Sequence, residues 1–204
     1  MPSQPTRSVD TLGFAQKGGG VFVQLRIGRV GASEASIPAP RIGVGQADLL
    51  IASDMVVAGG RGARPLLGPE RSAAVVNADL APTAAFVRDT STRYEPDRML
   101  DGLRAATRDL HALHAGAEVV EQLGDAIFLN IWLLGVAFQR GLVPVTSAAL
   151  ERAITLNGAQ VERNLAAFAL GRRAALEGRE AAPPRSETVE ELIDGFAGSG
   201  EIEF

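Results

Sequence analysis

Few residues in this chain are able to do chemistry, and their spacing narrows what they can do. Lys17 stands before three consecutive glycines, Gly18–Gly20, in the stretch GFAQKGGGVFVQLRIGR. A phosphate cradle needs glycines that free backbone N–H groups at a helix N-terminus, with a strand before them and Ser or Thr after the lysine. Here the glycines precede a strand pattern and glycine follows Lys17, so the stretch reads as a turn feeding a strand. GVGQAD at Gly43–Asp48 and GGRGARP at Gly59–Pro65 each lack the third glycine of a dinucleotide fingerprint and read as loops. His111 and His114 put two ring nitrogens on one face if their segment is helical. Asp109 is the only carboxylate beside them, whereas zinc takes three or four protein ligands, so no metal site is expected. No serine–histidine pair and no closely spaced pair of catalytic carboxylates stands out. The chain also has no cysteine, which excludes disulfides, thiol catalysis, iron–sulfur ligation and cysteine-type zinc sites.

The elements that position these residues follow from hydrophobic periodicity. Residues 1–11 are polar and proline-punctuated and read as a flexible lead-in. From Val21 to Ile27 the residues alternate, with Val21, Val23, Leu25 and Ile27 on one face, predicting a strand with that face on a core. ADLLIAS and SAAVVNAD are nearly all apolar without alternation, as expected of short strands buried on both faces of a parallel sheet. Pro96 suits a first helical position, and Met99, Leu100 and Leu103 then share one face of a helix ending near Thr107. Asp125–Arg140 is apolar almost all round and predicts a central buried helix ended by Gly141.

Thr146 or Ser147 can cap the next helix, in which Leu150, Ile154, Asn157, Val161, Asn164 and Phe168 recur at helical spacing. The Asn157–Gly158 dipeptide argues for two helices meeting there rather than one rod. Asn157 and Asn164 read as structural amides that satisfy backbone groups where helices meet, and Asn130 is placed with them. The chain divides into a lead-in over 1–11, one domain over 12–178, and a linker, short acidic helix and tail over 179–204. The fold expected is α/β: an open, mostly parallel, Rossmann-like sheet flanked by helices, with a helical C-terminal part.

Length and composition set outer bounds. At 204 residues and 46 % hydrophobic, the chain suits one core rather than two. A formal charge of −4 gives no basic surface for nucleic acid or an acidic membrane. The longest apolar run, Ala126–Phe138, is interrupted by Asn130 and falls short of a bilayer span. With no apolar leader-type stretch in MPSQPTRSVD, the expected compartment is the cytoplasm.

GFAQKGGGVFVQLRI resembles the AQKGG segment and following strand in the gamma-type domain of 2-oxoacid:ferredoxin oxidoreductases, most closely the indolepyruvate type. The likeness continues in order through ADLLIASDMVVA, VVNADLAPT, LGDAIFLNIWLLGVAFQRGLVPVT and ALERAITLNGAQVERNLAAFALGR, from about Thr11 to Arg173. Such enzymes oxidatively decarboxylate 2-oxoacids to acyl-coenzyme A with thiamine diphosphate and Mg2+, and pass electrons through iron–sulfur clusters to ferredoxin. The resemblance implies that these cofactors, and coenzyme A, sit on companion subunits or domains and none on this chain. GDAIFLN at Gly124–Asn130 begins like the magnesium–diphosphate motif of thiamine enzymes, but Ala126 lies in an apolar helix pattern and the motif is set aside. Gln16, Lys17, Gly18, Gly19 and Arg26 are the candidates for a face turned to a thiamine-bearing partner or to coenzyme A, with no catalytic residue expected here. In the family a strand, glycine-rich turn and helix precede the AQKGG segment. The chain begins after them, so a sheet lacking one strand, completed by a neighbouring polypeptide or belonging to a longer fused enzyme, is expected. Two rival readings stay open: a free-standing α/β module that binds coenzyme A or a nucleotide, and a structural remnant for protein contact.

Overall fold

The apolar run ending in Asn77 has no alternation because it has no solvent side: Ala73–Asn77 form a strand buried along its whole length. The computed structural model describes residues 4–11, 21–37, 39–79 and 95–178. Within them, in chain order, lie β1 (Thr6–Thr11), β2 (Phe22–Ile27), β3 (Leu49–Ala52), α1 (Met55–Ala58), β4 (Ala73–Asn77), α2 (Pro96–Ala106) and β5 (Asp109–Leu113). Four helices follow: α3 (Gly116–Leu123), α4 (Leu129–Gln139), α5 (Ser147–Asn157) and α6 (Val161–Leu176). Strands β3, β4 and β5 form a parallel sheet with β4 in the middle, and β1 and β2 form a separate antiparallel pair running from Thr6 opposite Ile27 to Thr11 opposite Phe22. The expected open parallel sheet, its flanking helices and the helical C-terminal part are present.

Alternate side chains of the parallel sheet serve two cores. Leu49, Ile51, Val75 and Leu113 pack with α3, α4 and α6 around Phe128, Trp132, Leu133 and Val136. Leu50, Ala52, Ala74, Val76 and Ala112 pack on the other face with Met55, Leu100 and Leu103. Each large side chain fully removed from water there contributes roughly 1.5–3 kcal/mol.

The helical layer is held by the crossing of α4 and α6. Both helices carry a glycine at the contact: a Cβ on Gly171 would run into the Trp132 carbonyl, and one on Gly135 into the Phe168 carbonyl. Beside the crossing, Phe138 and Phe168 meet at 5.5 Å between centroids. Arg172 lies over both rings and donates from Nε to Gln139 Oε1 at 3.0 Å. Thr146 caps α5 by accepting from Ala149 N, and α5 ends at Gly158, whose φ of 73° is left-handed, before α6 begins. Among the described residues no single helix is long and apolar enough to cross a membrane.

Several expectations change. Residues Thr6–Thr11 are a strand, not a flexible lead-in: polarity misled because β1 is short and, among the described residues, pairs only with β2. The segment DLHAL is strand β5, so His111 and His114 do not share a helical face. Asp125–Arg140 opens with a 3-10 turn over Ala126–Phe128, capped by Asp125, before α4 starts at Leu129. The face of β2 expected on a core is the more open one, with Val21, Val23 and Leu25 at 53 %, 52 % and 53 % exposure.

Gly171→Ala forces α4 and α6 apart and is expected to cost about 3 kcal/mol. Gly62→Ala, at an exposed position with nothing within 4 Å of the added carbon, is expected to leave stability unchanged. Urea or thermal unfolding of the two variants measures the difference, and equal midpoints would contradict the close crossing.

Candidate functional site

In open parallel sheets the strands deliver their loops, and hence their polar residues, at the carboxyl edge. Here the strands end in Ser53–Asp54, Asn77–Ala78–Asp79 and His114–Ala115, and side chains tie the three ends together. Asp54 accepts from Val56 N at 2.7 Å and Val57 N at 3.2 Å, starting α1. Buried Asn77 donates to the Ser53 carbonyl at 3.3 Å and accepts from Ala115 N at 3.1 Å, bridging β3 to β5 across β4. Asp79 accepts from Gly116 N through Oδ2 at 2.7 Å, and its Oδ1 lies 2.7 Å from His114 Nδ1. Both oxygens of Asp79 and both polar atoms of the Asn77 amide are thus engaged. The network fixes the loops in place.

A second feature lies beside it. A groove of about 800 Å3 is lined by β2, β3, the loop from Ile42 to Asp48, and, from the helical layer, Leu134 and Leu142–Pro144. Gln24 Oε1 accepts from Ile42 N at 2.6 Å and Arg26 donates from Nη2 to the Arg41 carbonyl at 2.8 Å, fastening β2 to the loop that leads to β3. Arg26 Nε is buried and has no acceptor among the described residues.

Of the residues singled out from sequence, Gln16, Lys17, Gly18 and Gly19 lie outside the described residues, as does the acidic segment after Gly178. Arg26 lines the groove. Asn164 donates to the Ala159 carbonyl at 2.9 Å at the α5–α6 junction and is partly buried. Asn130 and Asn157 are exposed; Asn130 accepts from its neighbour Ile131 N. Neither is a buried amide, because Asn130 sits in the first turn of α4 and Asn157 at the last residue of α5, where the chain faces water. His111 is buried on β5 with Nε2 3.0 Å from Asp109, while His114 pairs with Asp79, so the two histidines have separate carboxylates. No three His, Asp or Glu side chains gather among the described residues, and a chain without cysteine offers no thiolate for an iron–sulfur cluster. Without cysteine, the donors of this chain do not fit the iron–sulfur clusters that the resemblance names.

Sequence reasoning passed over Asn77, Asp79 and Asp54. The signal was present: each follows a short, wholly apolar strand, where a polar residue lands at the carboxyl edge of a parallel sheet.

A buried parallel sheet between two helical layers, its carboxyl ends bound together by Asn77 and Asp79, defines an open α/β domain of doubly wound type. The family model of pyruvate ferredoxin/flavodoxin oxidoreductase matches residues 4–174, and the chain belongs to that family. It is 29 % identical over 177 residues, 86 % of this chain and 83 % of the relative, to indolepyruvate oxidoreductase subunit IorB of Archaeoglobus fulgidus. Its fold is similar to that of a keto/oxoacid ferredoxin oxidoreductase gamma subunit from Geobacter sulfurreducens. The TM-score is 0.52 at 20 % identity, covering 85 % of this chain and 82 % of that one.

Asn77→Ala leaves buried Ala115 N without an acceptor and is expected to cost about 2–3 kcal/mol. Chemical denaturation measures it; a loss below about 0.5 kcal/mol, the range of an ordinary surface change, would contradict the bridging role.

Proposed function

We propose that this chain is the gamma-type component of an indolepyruvate-like 2-oxoacid:ferredoxin oxidoreductase, with catalysis residing on partner chains. In the reaction the bond between the carboxylate and the keto carbon breaks and carbon dioxide leaves. The acyl group forms a thioester with coenzyme A, whose thiol proton is released, and the electron pair passes to ferredoxin. Thiamine diphosphate, Mg2+ and the iron–sulfur clusters belong on the partners. The observation that carries this reading is family membership over residues 4–174 in a chain with no cysteine. The likeness to an indolepyruvate oxidoreductase subunit favours an aryl 2-oxoacid over pyruvate. Lys17 is assigned to the partner-facing loop, where its ammonium meets a carboxylate or phosphate.

Co-expression with a thiamine-binding, cysteine-rich partner is expected to yield a complex that reduces ferredoxin with indolepyruvate and coenzyme A faster than with pyruvate. Lys17→Ala is expected to slow turnover roughly tenfold or more, the worth of one charge-assisted contact, while the complex still assembles. Unchanged kinetics would remove Lys17 from the site. Micromolar binding of coenzyme A to the isolated chain, read by calorimetry, would favour a free-standing ligand-binding module instead.

A further inference from the structure

Asn157 satisfies no backbone group, and the residue after it opens a different chemistry. The carbonyl of an asparagine side chain can be attacked by the main-chain nitrogen of the next residue, which closes a five-membered ring. Ring closure is fastest where the following residue has no side chain to crowd that nitrogen, the amide turns freely and the following N–H is weakly held. Asparagine stands at positions 77, 130, 157 and 164, and only Asn157 precedes a glycine.

The structure meets each condition at this one position. Asn157 is the exposed last residue of α5, and its side-chain amide makes no hydrogen bond among the described residues. Gly158 N is held by a single cap bond to the Thr155 carbonyl at 3.2 Å, and nothing lies within 4 Å of where a Gly158 side chain would begin. Helical backbone keeps the nitrogen from reaching Asn157 Cγ, so the last turn must first open. Of α5 only Ile154 is buried, so that opening uncovers no core.

The other three asparagines each lack a condition. Asn77 is buried with both polar atoms of its amide engaged, and Ala78 N donates to the Leu113 carbonyl at 2.8 Å. Asn130 is exposed but is followed by Ile131, whose β-branched side chain crowds its nitrogen. Asn164 donates its amide to the Ala159 carbonyl at 2.9 Å, and Leu165 lies inside α6.

We propose that Asn157 is a site of spontaneous deamidation in the folded protein. Gly158 N bonds to Asn157 Cγ, the bond from Cγ to Nδ2 breaks, and the amide nitrogen leaves as ammonia with the proton from Gly158 N. Water then opens the ring at one of its two carbonyls. One opening gives aspartate; the other gives isoaspartate, in which the main chain runs on through the side-chain carbons. Either product sets a carboxylate at the C-terminal end of α5, where the helix dipole is already negative. Isoaspartate also lengthens the main chain by one carbon at the turn into α6. The proposal is independent of the reading of the chain as an oxidoreductase component.

The full chain, aged in its folded state at mildly alkaline pH and then digested in acid, is read by tandem mass spectrometry. At Asn157 the mass gain of an NH-to-O exchange is expected to accumulate about tenfold or more faster than at Asn77, Asn130 or Asn164. Isoaspartate, detected by enzymatic methylation of its carboxylate, is expected as the major product. Asn157→Gln, whose extra methylene makes ring closure slow, is expected to keep the thermal midpoint and lose the gain. Conversion at Asn157 no faster than at the other three overturns the proposal. So does conversion only in chain unfolded by urea, or a product without isoaspartate.

Discussion

Main-chain hydrogen bonding is the constraint on which this molecule turns. Buried N–H and C=O groups must be paired, and a parallel sheet of short strands has no water to fall back on. Strand β4 meets the demand on both sides, between β3 and β5, and can be built wholly from buried residues. Among the described residues, strand β3 meets it on one side only, and β2, in a different sheet, likewise. The layered helices follow from the same arrangement: α1 and α2 cover one face, α3, α4 and α6 the other, and the glycine crossing of α4 on α6 brings the outer helix close enough to seal the core.

The polar residues obey the same logic. Asn77, Asp79 and Asp54 satisfy amides exposed where strands give way to helices. Even the Asp79–His114 pair, whose residue types suit acid–base work, has its carboxylate shared with Gly116 N. We propose that the domain contributes shape and surface to an assembly whose electron transfer runs on other chains, since this sequence has no cysteine to hold an iron–sulfur cluster.

Much of the fold was legible in the sequence because burial on both faces leaves an unambiguous mark. The runs LLIA and AAVVN read as strands of a parallel sheet, AAVVN wholly buried in the middle and LLIA partly buried at an edge, and the Asn157–Gly158 break and Thr146 cap rest on local chemistry that tertiary context did not override. Where the reading failed, the local pattern carried too little information. TRSVDT is polar because its pairing is with one neighbour, and DLHAL mixes charge with apolar residues because Asp109 and Leu110 begin the strand toward solvent. The alternation in β2 correctly marked a strand but not what covers it. An apolar face in sequence says that something packs there, not that the packing partner lies in the same chain. The site was less legible still, since Asn77 and Asp79 acquire their roles only when Ser53, Ala115 and Gly116 are brought to them from distant positions.

The proposed view is of a scaffold whose reactive centre lies on a neighbouring chain. A structure of the assembled oxidoreductase, at a resolution that traces main chain, addresses it most directly. It should show every prosthetic group outside this chain. A prosthetic group enclosed entirely by residues of this chain would contradict it.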